Sequence, residues 1–439
     1  MKEFDVCIIG AGPGGTSAAI ESSALGARTA LIEKDEVGGI CLNKGCIPTK
    51  ARLRSASLYD EGKHWLEFGL NAKDPVFDLQ AIGRRSTEVV GRLRDQLDQS
   101  IRSKKIELLK GEASFVSEDT VSVNGEAAVR SKSFVIATGS SPRPLAGVKS
   151  DRRRVFYSEE ILGLEKLPFD MTIIGAGPIG CEFASFFSAL GTKVTLIETM
   201  DRILPKEDKD ISNRLEGIFR KKGIEVVTGA ASVDISGMNS EAILISVGRI
   251  PNTGRLCLEK AGVSVKDGRI AVDEYLRTSS GRIFSAGDCV GRYNLAHAAS
   301  AEGRVAAMNA AGMQIPMDYS IMPMCVYSFP EAASVGLTAE GAESRGITAV
   351  SGRSYFAGLG RAQAYGEPEG FIKLVADGKT GLLLGAQILG YNASEMIGII
   401  SVAIKGGLTV KELSETIQPH PTFSEGIQEA ALNLRRQLK

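Results

Sequence analysis

The sequence predicts an α/β fold with two Rossmann-like units, followed by a smaller C-terminal α+β region. Three observations support this prediction: one block of sequence is repeated, each copy carries closely spaced glycines between apolar stretches, and alternating apolar residues begin near residue 317. At 439 residues, the chain is long enough for two to four domains with well-developed cores.

The repeat is the strongest of these signals. Residues 5–33 and 170–198 align without a gap and are identical at 16 of 29 positions. Each copy reads as a short apolar strand, a glycine turn, a helix and a second apolar strand. Because this order of elements opens a dinucleotide-binding βαβ unit, the repeat predicts two such units in one chain.

Each copy also carries the G-x-G-x-x-G spacing. In such units the first glycine makes the turn, the second lets a pyrophosphate approach the backbone, and the third lets helix and strand pack closely. An acidic residue belongs about 20 residues further on, where it accepts hydrogen bonds from ribose hydroxyls. Glu33 and Glu198 each stand 18 residues past the third glycine. The motif glycines are Gly10, Gly12 and Gly15 in the first copy and Gly175, Gly177 and Gly180 in the second.

Glu198 also indicates which nicotinamide cofactor is preferred. A carboxylate at this position favours a free 2′-hydroxyl and repels a 2′-phosphate, so NAD is the expected cofactor. Because Arg202 lies nearby, NADP is not excluded as the cofactor, although Arg202 is more simply explained as a surface charge.

The composition indicates an ordinary globular protein. Hydrophobic residues make up 43% of the chain and charged residues 24%, and the 52 basic residues balance the 52 acidic ones. The chain thus has no excess of positive charge that would indicate binding to nucleic acid or to an anionic membrane. No apolar run reaches the ~18 residues of a membrane span, and the best candidate, Met396 to Ile404, reads as a core helix. Seven cysteines without a signal peptide favour a reducing compartment, with the cytoplasm as the default expectation.

Cys41 and Cys46 stand out among the cysteines because they are only five residues apart. Their spacing is not that of a zinc ribbon, and no other cysteine pair completes such a site. In an ideal helix they would lie ~7.5 Å apart along the axis, whereas a disulfide needs Cα atoms within ~7 Å. A bridge would therefore require a distorted turn, for which Gly45 and Pro48 are suitable. The spacing alone leaves open whether these are paired or unrelated thiols.

The cysteine segment, residues 38–50 (GGICLNKGCIPTK), resembles the active-site motif of the pyridine nucleotide–disulfide oxidoreductases. The resemblance continues in order through nearly the whole chain, most closely to the members that oxidise dihydrolipoamide, and the matching segments are together highly specific. They are the two glycine motifs, residues 137–140 (ATGS), 247–252 (VGRIPN), 286–288 (AGD) and 420–425 (HPTFSE).

The resemblance implies that the first unit binds FAD and the second binds NAD. Cys41 would be the interchange thiol that meets substrate, and Cys46 the thiolate packed against the flavin. Lys50 would lie near the flavin N5 and pair with Glu182. The residues implied in FAD binding are Gly10, Gly12, Gly15, Glu33, Lys50, Ala113, Thr138, Gly139, Ser140, Asp288, Leu295, Ala296 and His297. Those implied in NAD binding are Gly175, Gly177, Gly180, Glu182, Glu198, Val227 and Gly248.

His420 and Glu425 resemble the acid–base pair of the same family. A thiol is a poor nucleophile until it is deprotonated, so a base must take protons from the incoming dithiol. A carboxylate on the far ring nitrogen fixes the tautomer and stabilises the imidazolium. The resemblance implies that this histidine reaches the cysteines of the other subunit, which makes a homodimer obligatory for activity.

The same resemblance divides the chain into three domains. Residues 1–145 and 272–316 would form a discontinuous FAD-binding domain, and residues 146–271 an NAD-binding domain. Residues 317–439 would form a C-terminal dimerisation domain. The implied activity is oxidation of protein-bound dihydrolipoamide through a Cys41–Cys46 redox disulfide and FAD, with hydride transfer to NAD⁺ and without a metal. The carrier would belong to a 2-oxo acid dehydrogenase or to the glycine cleavage system, on a separate chain because no lipoyl domain precedes the first strand.

One segment departs from the family pattern. Members usually carry a longer strand-rich segment between the counterparts of Gly229 and Val247, whereas only residues 230–246 intervene here. We therefore expect a shortened antiparallel meander that leaves part of the NAD-binding domain less covered and puts its cofactor affinity in doubt.

Three alternatives remain. The first is a glutathione-type reductase, against which Leu42, Ile47 and Glu198 argue. The second is a mercuric reductase, which would end in a cysteine pair, whereas this chain ends LNLRRQLK. The third is a mainly structural subunit of a dehydrogenase complex, against which the intact set of Cys41, Cys46 and His420 argues.

Overall fold

The first sheet is built mainly from the N-terminal third of the chain. The computed structural model describes residues 1–71 and 75–438. The elements of this third are β1 (Lys2–Ile9), α1 (Pro13–Ala24), β2 (Thr29–Glu33), α2 (Gly39–Lys44), α3 (Cys46–Gly62), α4 (Leu79–Ser103), β3 (Glu107–Lys110), β4 (Ala113–Ser117), β5 (Thr120–Val123), β6 (Glu126–Ile136) and β7 (Ser140–Pro142). Strands β3, β2, β1 and β6 are parallel, and β5 and β4 continue the sheet as an antiparallel extension. The central strands are continuous apolar runs because both faces of a parallel sheet are buried.

A second parallel sheet follows in the chain. Its elements are β8 (Val155–Tyr157), β9 (Asp170–Ile174), α5 (Pro178–Leu190), β10 (Lys193–Ile197), α6 (Lys209–Lys221), β11 (Glu225–Val227), β12 (Ala242–Ile245) and β13 (Arg249–Pro251). The strand order is β11-β10-β9-β12-β8, and every pairing in it is parallel. Strand β13 lies outside this sheet and pairs antiparallel with β7, so it ties the second unit back to the first.

The segment between β11 and β12 contains no strand, and residues 228–241 form turns and loops. The side chains of Val233, Ile235 and Met238 nevertheless pack against apolar residues of the second sheet, including Ile174 and Ile243. Arg154 fastens the segment by donating a 2.9 Å hydrogen bond to the carbonyl of Ser240. The expected shortened meander is thus a loop without strands, and its three partly buried apolar side chains cover part of the sheet face. We refer to residues 228–241 as the cap segment.

The chain then returns to the first sheet. The elements are β14 (Val265–Lys266), β15 (Arg269–Ile270), β16 (Ile283–Ser285) and α7 (Ala296–Ala310). Strand β16 pairs in parallel with β6 and completes a seven-stranded sheet. Helix α7 crosses α1 closely, since a Cβ on Gly303 would lie only 2.1 Å from the carbonyl oxygen of Gly14.

The C-terminal part is an antiparallel sheet covered by helices. Its elements are β17 (Met324–Val326), β18 (Glu331–Gly336), α8 (Ala339–Glu343), β19 (Ala349–Tyr355), α9 (Gly360–Ala364), β20 (Phe371–Asp377), β21 (Leu383–Gly390), α10 (Ala393–Lys405), α11 (Val410–Glu415) and α12 (Glu425–Arg435). The strand order is β17-β18-β21-β20-β19. The predicted core helix at 396–404 lies within α10, where Met396, Ile397 and Ile400 are buried. Within the described ranges, no helix is both long and apolar enough to cross a membrane. The fold class predicted from the sequence is confirmed.

Candidate active site

The two glycine turns have the same geometry. Gly10 has a φ of +99° and Gly175 a φ of +98°, which an L side chain rarely adopts. A Cβ on Gly15 would lie 1.7 Å from the carbonyl oxygen of Gly10, and one on Gly180 would lie 1.9 Å from that of Gly175. Only glycine fits at these positions, so the turns fix the tight entry into α1 and α5.

The middle glycine of each turn borders open space. A Cβ on Gly177 would meet no atom within 4 Å, and one on Gly12 would meet only the Cα of Gly39, at 4.0 Å. Gly12 and Gly177 are the N-cap residues of α1 and α5, and neither helix has a side-chain cap. The free backbone N–H groups and the open approach fit a pyrophosphate at each turn.

Glu33 and Glu198 close the two turns in the same way. The N–H of Ala11 donates to Glu33 Oε2 at 2.7 Å, and the N–H of Ala176 donates to Glu198 Oε2 at 2.8 Å. Each carboxylate therefore lies beside its glycine turn, at the end of the second strand. Arg202 is not a free surface charge, because its guanidinium is mostly buried and donates to the carbonyl of Pro205 at 3.2 Å.

Asp288 belongs to a polar group beside the first turn. It accepts a hydrogen bond from Ser140 Oγ, which in turn accepts one from Arg249 Nε at 2.7 Å. Thr138 Oγ1 donates to the carbonyl of Asn252 at 2.7 Å. Burial raises the pKa of Asp288, and the bond from Ser140 and the charge of Arg249 oppose that rise.

The other residues implied in cofactor binding are spread around the two turns. Ala113 begins β4 and is buried, while Gly139 accepts a backbone bond from Asn252. Leu295 is the N-cap of α7, Ala296 is its first residue, and the ring of exposed His297 bonds to the carbonyl of Pro323 at 2.8 Å. On the NAD side, Val227 ends β11 with its carbonyl accepting from the N–H of Glu198. Gly248 has a φ of +113° and bonds to Arg143.

The cysteine segment lies against the first glycine turn. A Cβ on Gly39 would lie 2.7 Å from the Cα of Gly12, so the two backbones touch. Helix α2 ends at Lys44 and α3 begins at Cys46, because Gly45 leaves the helical region with φ −137° and ψ −106°. This break removes the regular helical spacing that would hold the two cysteines apart.

Cys41 lies on α2 and Cys46 begins α3, so the two thiols flank the break at Gly45. The neighbouring thiol of Cys41 and the charge of Lys50 lower the pKa of Cys46 to about 7, against the opposing effect of burial. The neighbouring thiol of Cys46 and burial raise the pKa of Cys41. Cys46 is thus the thiol of the pair that ionises first.

Lys50 and Glu182 connect the thiol helix to the second unit. The ammonium of Lys50 lies 2.7 Å from Glu182 Oε2 and 2.9 Å from Oε1. Lys50 is carried by α3, one turn after Cys46, and Glu182 is carried by α5, just behind the second glycine turn. Glu182 is only 5% exposed, so its charge requires a cationic partner, and the half-buried Lys50 supplies it.

Tyr327 is a residue of this site that sequence reasoning missed. Its ring lies 4.6 Å below the ammonium of Lys50, and its N–H donates to Glu182 Oε1 at 3.1 Å. It follows β17, far along the chain from both partners. Arg249 was also not predicted as a site residue, although it lies in the segment 247–252 (VGRIPN) that resembles the family.

His420 and Glu425 form a pair at the start of α12. His420 Nδ1 lies 2.7 Å from Glu425 Oε1, and Glu425 Oε2 accepts from the N–H of Thr422 at 2.8 Å. These two bonds, first that from Thr422, lower the pKa of Glu425. The His420 side chain is 77% exposed, and its contact is with Glu425 and not with a cysteine of the same chain.

Comparisons with known proteins agree with this geometry. A model of the "Pyridine nucleotide-disulphide oxidoreductase" family matches residues 4–303, and a model of the dimerisation domain of that family matches residues 322–431. The dihydrolipoyl dehydrogenase of Bacillus subtilis is 39% identical, with 98% of each chain covered. That of Thermus scotoductus is 41% identical, with 100% of this chain and 98% of the relative covered.

Solved structures extend the comparison to the fold. LpdA from Mycobacterium tuberculosis has a TM-score of 0.91 at 27% identity, covering 99% of this chain and 100% of its own. The HOCl-induced flavoprotein disulfide reductase RclA from Escherichia coli has a TM-score of 0.88 at 28% identity, covering 98% and 99%. The duplicated glycine turns, the thiol pair and both family matches lead to one conclusion. The chain belongs to the pyridine nucleotide–disulphide oxidoreductase family, and its C-terminal part is the dimerisation domain of that family.

Proposed function

We propose that this chain is a dihydrolipoyl dehydrogenase, which oxidises dihydrolipoamide with NAD⁺ as the acceptor. The observation that carries the proposal is the thiol pair: Cys41 and Cys46 flank the helix break at Gly45, one helical turn before Lys50, in a segment that lies against the first glycine turn. Relatives that cover 98% or more of the chain at about 40% identity bear the name dihydrolipoyl dehydrogenase, which supports the choice of substrate.

The two dinucleotide sites are assigned to FAD and NAD. Gly12, Glu33 and Asp288 would hold FAD at the first turn, and Gly177 and Glu198 would hold NAD at the second. FAD, when bound, would supply the two-electron chemistry that connects thiol oxidation to hydride transfer. The protein contributes binding, orientation and the charges of Lys50 and Glu182.

The thiol chemistry begins from the Cys41–Cys46 disulfide. One thiolate of dihydrolipoamide attacks the sulfur of Cys41, a mixed disulfide forms, and Cys46 leaves as a thiolate. The second substrate thiol then attacks the mixed disulfide and releases oxidised lipoamide, so that both cysteines are reduced. The low pKa of Cys46 makes it the better leaving group, since a more acidic thiol departs more readily.

Proton transfer is assigned to His420. Its ring is held at Nδ1 by Glu425, which leaves Nε2 free to accept a proton from the substrate thiol. Because His420 is exposed on its own subunit, we assign it to the thiols of the partner in a homodimer. The exposed apolar side chains of Val402 and Ile417, at 73% and 90%, support the burial of this surface against a second copy.

The three-domain division is part of the proposal. Residues 1–145 and 272–316 would form the FAD-binding domain, residues 146–271 the NAD-binding domain, and residues 317–439 the dimerisation domain. The substrate would be presented on a lipoyl-bearing carrier of a 2-oxo acid dehydrogenase or of the glycine cleavage system, in the cytoplasm.

A disulfide reductase with another substrate is the main alternative. The likeness to RclA, whose name describes it as a flavoprotein disulfide reductase, favours this second reading. A mainly structural subunit is a weaker alternative, because both thiols and the His420–Glu425 pair are present. The choice among these functions depends on which substrate reduces the Cys41–Cys46 disulfide.

The test is an anaerobic reaction of the oxidised, FAD-loaded protein with dihydrolipoamide. We expect NADH to form when NAD⁺ is present, much more slowly with NADP⁺, and not at all in the Cys46→Ser variant. Cys257→Ser serves as the matched control, because Cys257 is a partly buried cysteine with no placement near the site. NADH formation by Cys46→Ser at the wild-type rate, or reduction by glutathione but not by dihydrolipoamide, would contradict the proposal.

A further inference from the structure

Glu302 is a buried carboxylate to which no step of the proposed chemistry gives a role. It lies on α7 and is 1% exposed. Its Oε2 accepts from the N–H of Gly287 at 2.5 Å, and its Oε1 accepts from the hydroxyl of Tyr319 at 2.5 Å. A carboxylate this deep in the protein is costly unless both oxygens are satisfied, and here each oxygen has one donor.

The position of Glu302 is fixed by the crossing of two helices. The next residue, Gly303, meets Gly14 so closely that a Cβ would lie 2.1 Å from the Gly14 carbonyl oxygen. Helix α1 begins at the first glycine turn, so this crossing connects Glu302 rigidly to the phosphate-binding end of the site. Glu302 cannot shift without moving the helix that carries the turn.

The N–H that donates to Glu302 belongs to Gly287, which turns the backbone just before Asp288. Its φ of +81° lies in the left-handed region, which glycine adopts without strain. The Asp288 carboxylate accepts from Ser140 Oγ and lies 3.8 Å from Arg249 Nε. The bond from Gly287 to Glu302 therefore sets where Asp288 stands relative to the glycine turn, since a left-handed residue at this point redirects the backbone.

Tyr319 completes the arrangement from the other side. Its ring stacks on that of Tyr293, with 5.7 Å between centroids, and the guanidinium of Arg292 lies 4.8 Å from it. The neighbouring Asp318 is bound by Lys405 of α10 at 2.6 Å. Tyr319 thus joins the segment that leads into the C-terminal sheet to Glu302. Burial raises the pKa of Glu302, and the bonds from Tyr319 and Gly287 oppose that rise.

We propose that Glu302 is a positioning residue that holds the Gly287–Asp288 turn in the conformation that binds FAD, with Tyr319 fixing its second oxygen. The inference rests on the proposed function only in assigning FAD to the first site. In this proposal, Glu302 and Tyr319 strengthen FAD binding by positioning Asp288. Neither residue contacts the reacting atoms.

The experiment measures the rate at which the holoprotein releases FAD, followed by the recovery of flavin fluorescence. Glu302→Leu removes both acceptors, and we expect FAD release at least about tenfold faster, because two buried donors lose their partner. Glu302→Gln keeps one oxygen for Gly287, and its amide can donate to the Tyr319 oxygen, so we expect release within about threefold of wild type.

Glu160→Leu is the control. Glu160 also accepts from one backbone N–H, of Tyr157 at 2.9 Å, and from one hydroxyl, of Ser150 at 2.5 Å, but it lies near the second sheet and accepts a further bond from Arg152 Nε at 3.0 Å. We expect FAD release from this variant at the wild-type rate, although its thermal unfolding can be affected. Release from Glu160→Leu as fast as from Glu302→Leu would overturn the proposal, because the effect would then be general destabilisation.

The remaining outcomes are also decisive. Release at the wild-type rate from Glu302→Leu overturns the inference, and so does equal acceleration in Glu302→Gln, since the acceptor for Gly287 is then unimportant. If Glu302→Leu does not fold, Tyr319→Phe replaces it, with release about threefold faster expected and an unchanged rate counting against the proposal. A wild-type protein that binds no FAD would contradict the proposed function itself, independently of Glu302.

Discussion

At the scale of single residues, the chemistry depends on the ammonium group of Lys50. It pairs with buried Glu182 and lies over the Tyr327 ring, and its charge favours the thiolate of Cys46. Glu182 acts in the opposite direction on Cys46, so the pKa of the thiol reflects the balance of the two charges. A single substitution at Lys50 should therefore move that pKa.

Lys50→Met is expected to raise the pKa of Cys46 by at least about one unit, because the nearby positive charge is lost while Glu182 remains. The thiolate, which in the wild-type dithiol forms around pH 7, then forms only at higher pH. The measurement is the ultraviolet thiolate absorbance of the reduced protein as a function of pH. Lys63→Met is the control, since Lys63 follows the last residue of α3 and pairs with Asp60. An unchanged titration in Lys50→Met would contradict the assignment.

Glu425→Gln is expected to lower the rate of dihydrolipoamide oxidation by about 10²-fold, because His420 loses the carboxylate that orients its ring. Because the pKa of Glu425 is lowered, this carboxylate stays ionised to a lower pH than an ordinary glutamate does. The pair with His420 is therefore lost only when the pH falls through that lowered pKa. The contribution of the pair to stability follows the same direction, present at neutral pH and lost on acidification. The check is the pH profile of the turnover rate, with Glu412→Gln, an exposed capping residue of α11, as control.

Some site residues could be predicted from the sequence and others could not. The spacing of the glycines and of Glu33 and Glu198 follows from local backbone geometry, which the sequence encodes directly. The placement of Cys41 and Cys46 on two separate helices depends on the break at Gly45, which the five-residue spacing could not distinguish from a regular helix. Tyr327 reaches Lys50 only through tertiary packing, so no local pattern marks it.

At the scale of elements, the cap segment is the clearest departure from the expected pattern. It replaces a strand-rich cover with three apolar side chains, Val233, Ile235 and Met238, on the face of the second sheet. The polar residues between these apolar side chains are exposed to water, as they are in an amphipathic strand, although the segment pairs with no other strand. A short loop can therefore protect the face of a parallel sheet when its apolar residues alternate.

Ile235→Asp is expected to lower the free energy of unfolding by ~1–3 kcal/mol, because a charge replaces an apolar contact on the sheet. The measurement is urea-induced unfolding, with Asn239→Asp as the control, since Asn239 is exposed in the same segment. Equal stability of the two variants would mean that the cap segment does not cover the sheet in solution.

Element boundaries were predictable where one period dominates the sequence. Strands β1 and β9 and helices α1 and α5 follow the repeated pattern, so each unit could be placed from the sequence. Strand β3, which completes the edge of the first sheet, lies in a polar, charge-rich part of the chain where no alternating pattern marks a strand. Pairing with β2 decides its conformation, and such a long-range contact is not encoded locally.

At the scale of the whole molecule, activity is expected to require two chains. Val402 on α10 and Ile417 after α11 are large apolar residues at 73% and 90% exposure. Isolated apolar residues are common on surfaces, but these lie in the part of the chain that matches a dimerisation domain. The sequence predicts the dimer only through the resemblance, because an interface between copies leaves no periodic signal.

Val402→Asp is expected to weaken the homodimer, because burial of an unpaired charge in the interface is unfavourable. The variant should sediment as a monomer at low concentration, with dihydrolipoamide oxidation reduced at least about tenfold and FAD retained. Val265→Asp, at an exposed apolar residue of β14, is the control that should remain dimeric. A monomeric Val402→Asp protein with full turnover would show that one chain suffices.

The exposure of His420 on its own subunit also bears on proteins assembled from two kinds of chain. Suppose that Cys46→Ser and His420→Gln subunits, each inactive alone, are mixed and allowed to exchange. In every hybrid, one of the two reaction centres regains an intact thiol pair from one parent and an intact imidazole from the other. Random pairing then restores about one quarter of the wild-type rate, as expected for a two-fold assembly in which centres are shared across the axis. Complementation of this kind would be impossible if each chain supplied both halves of its own centre.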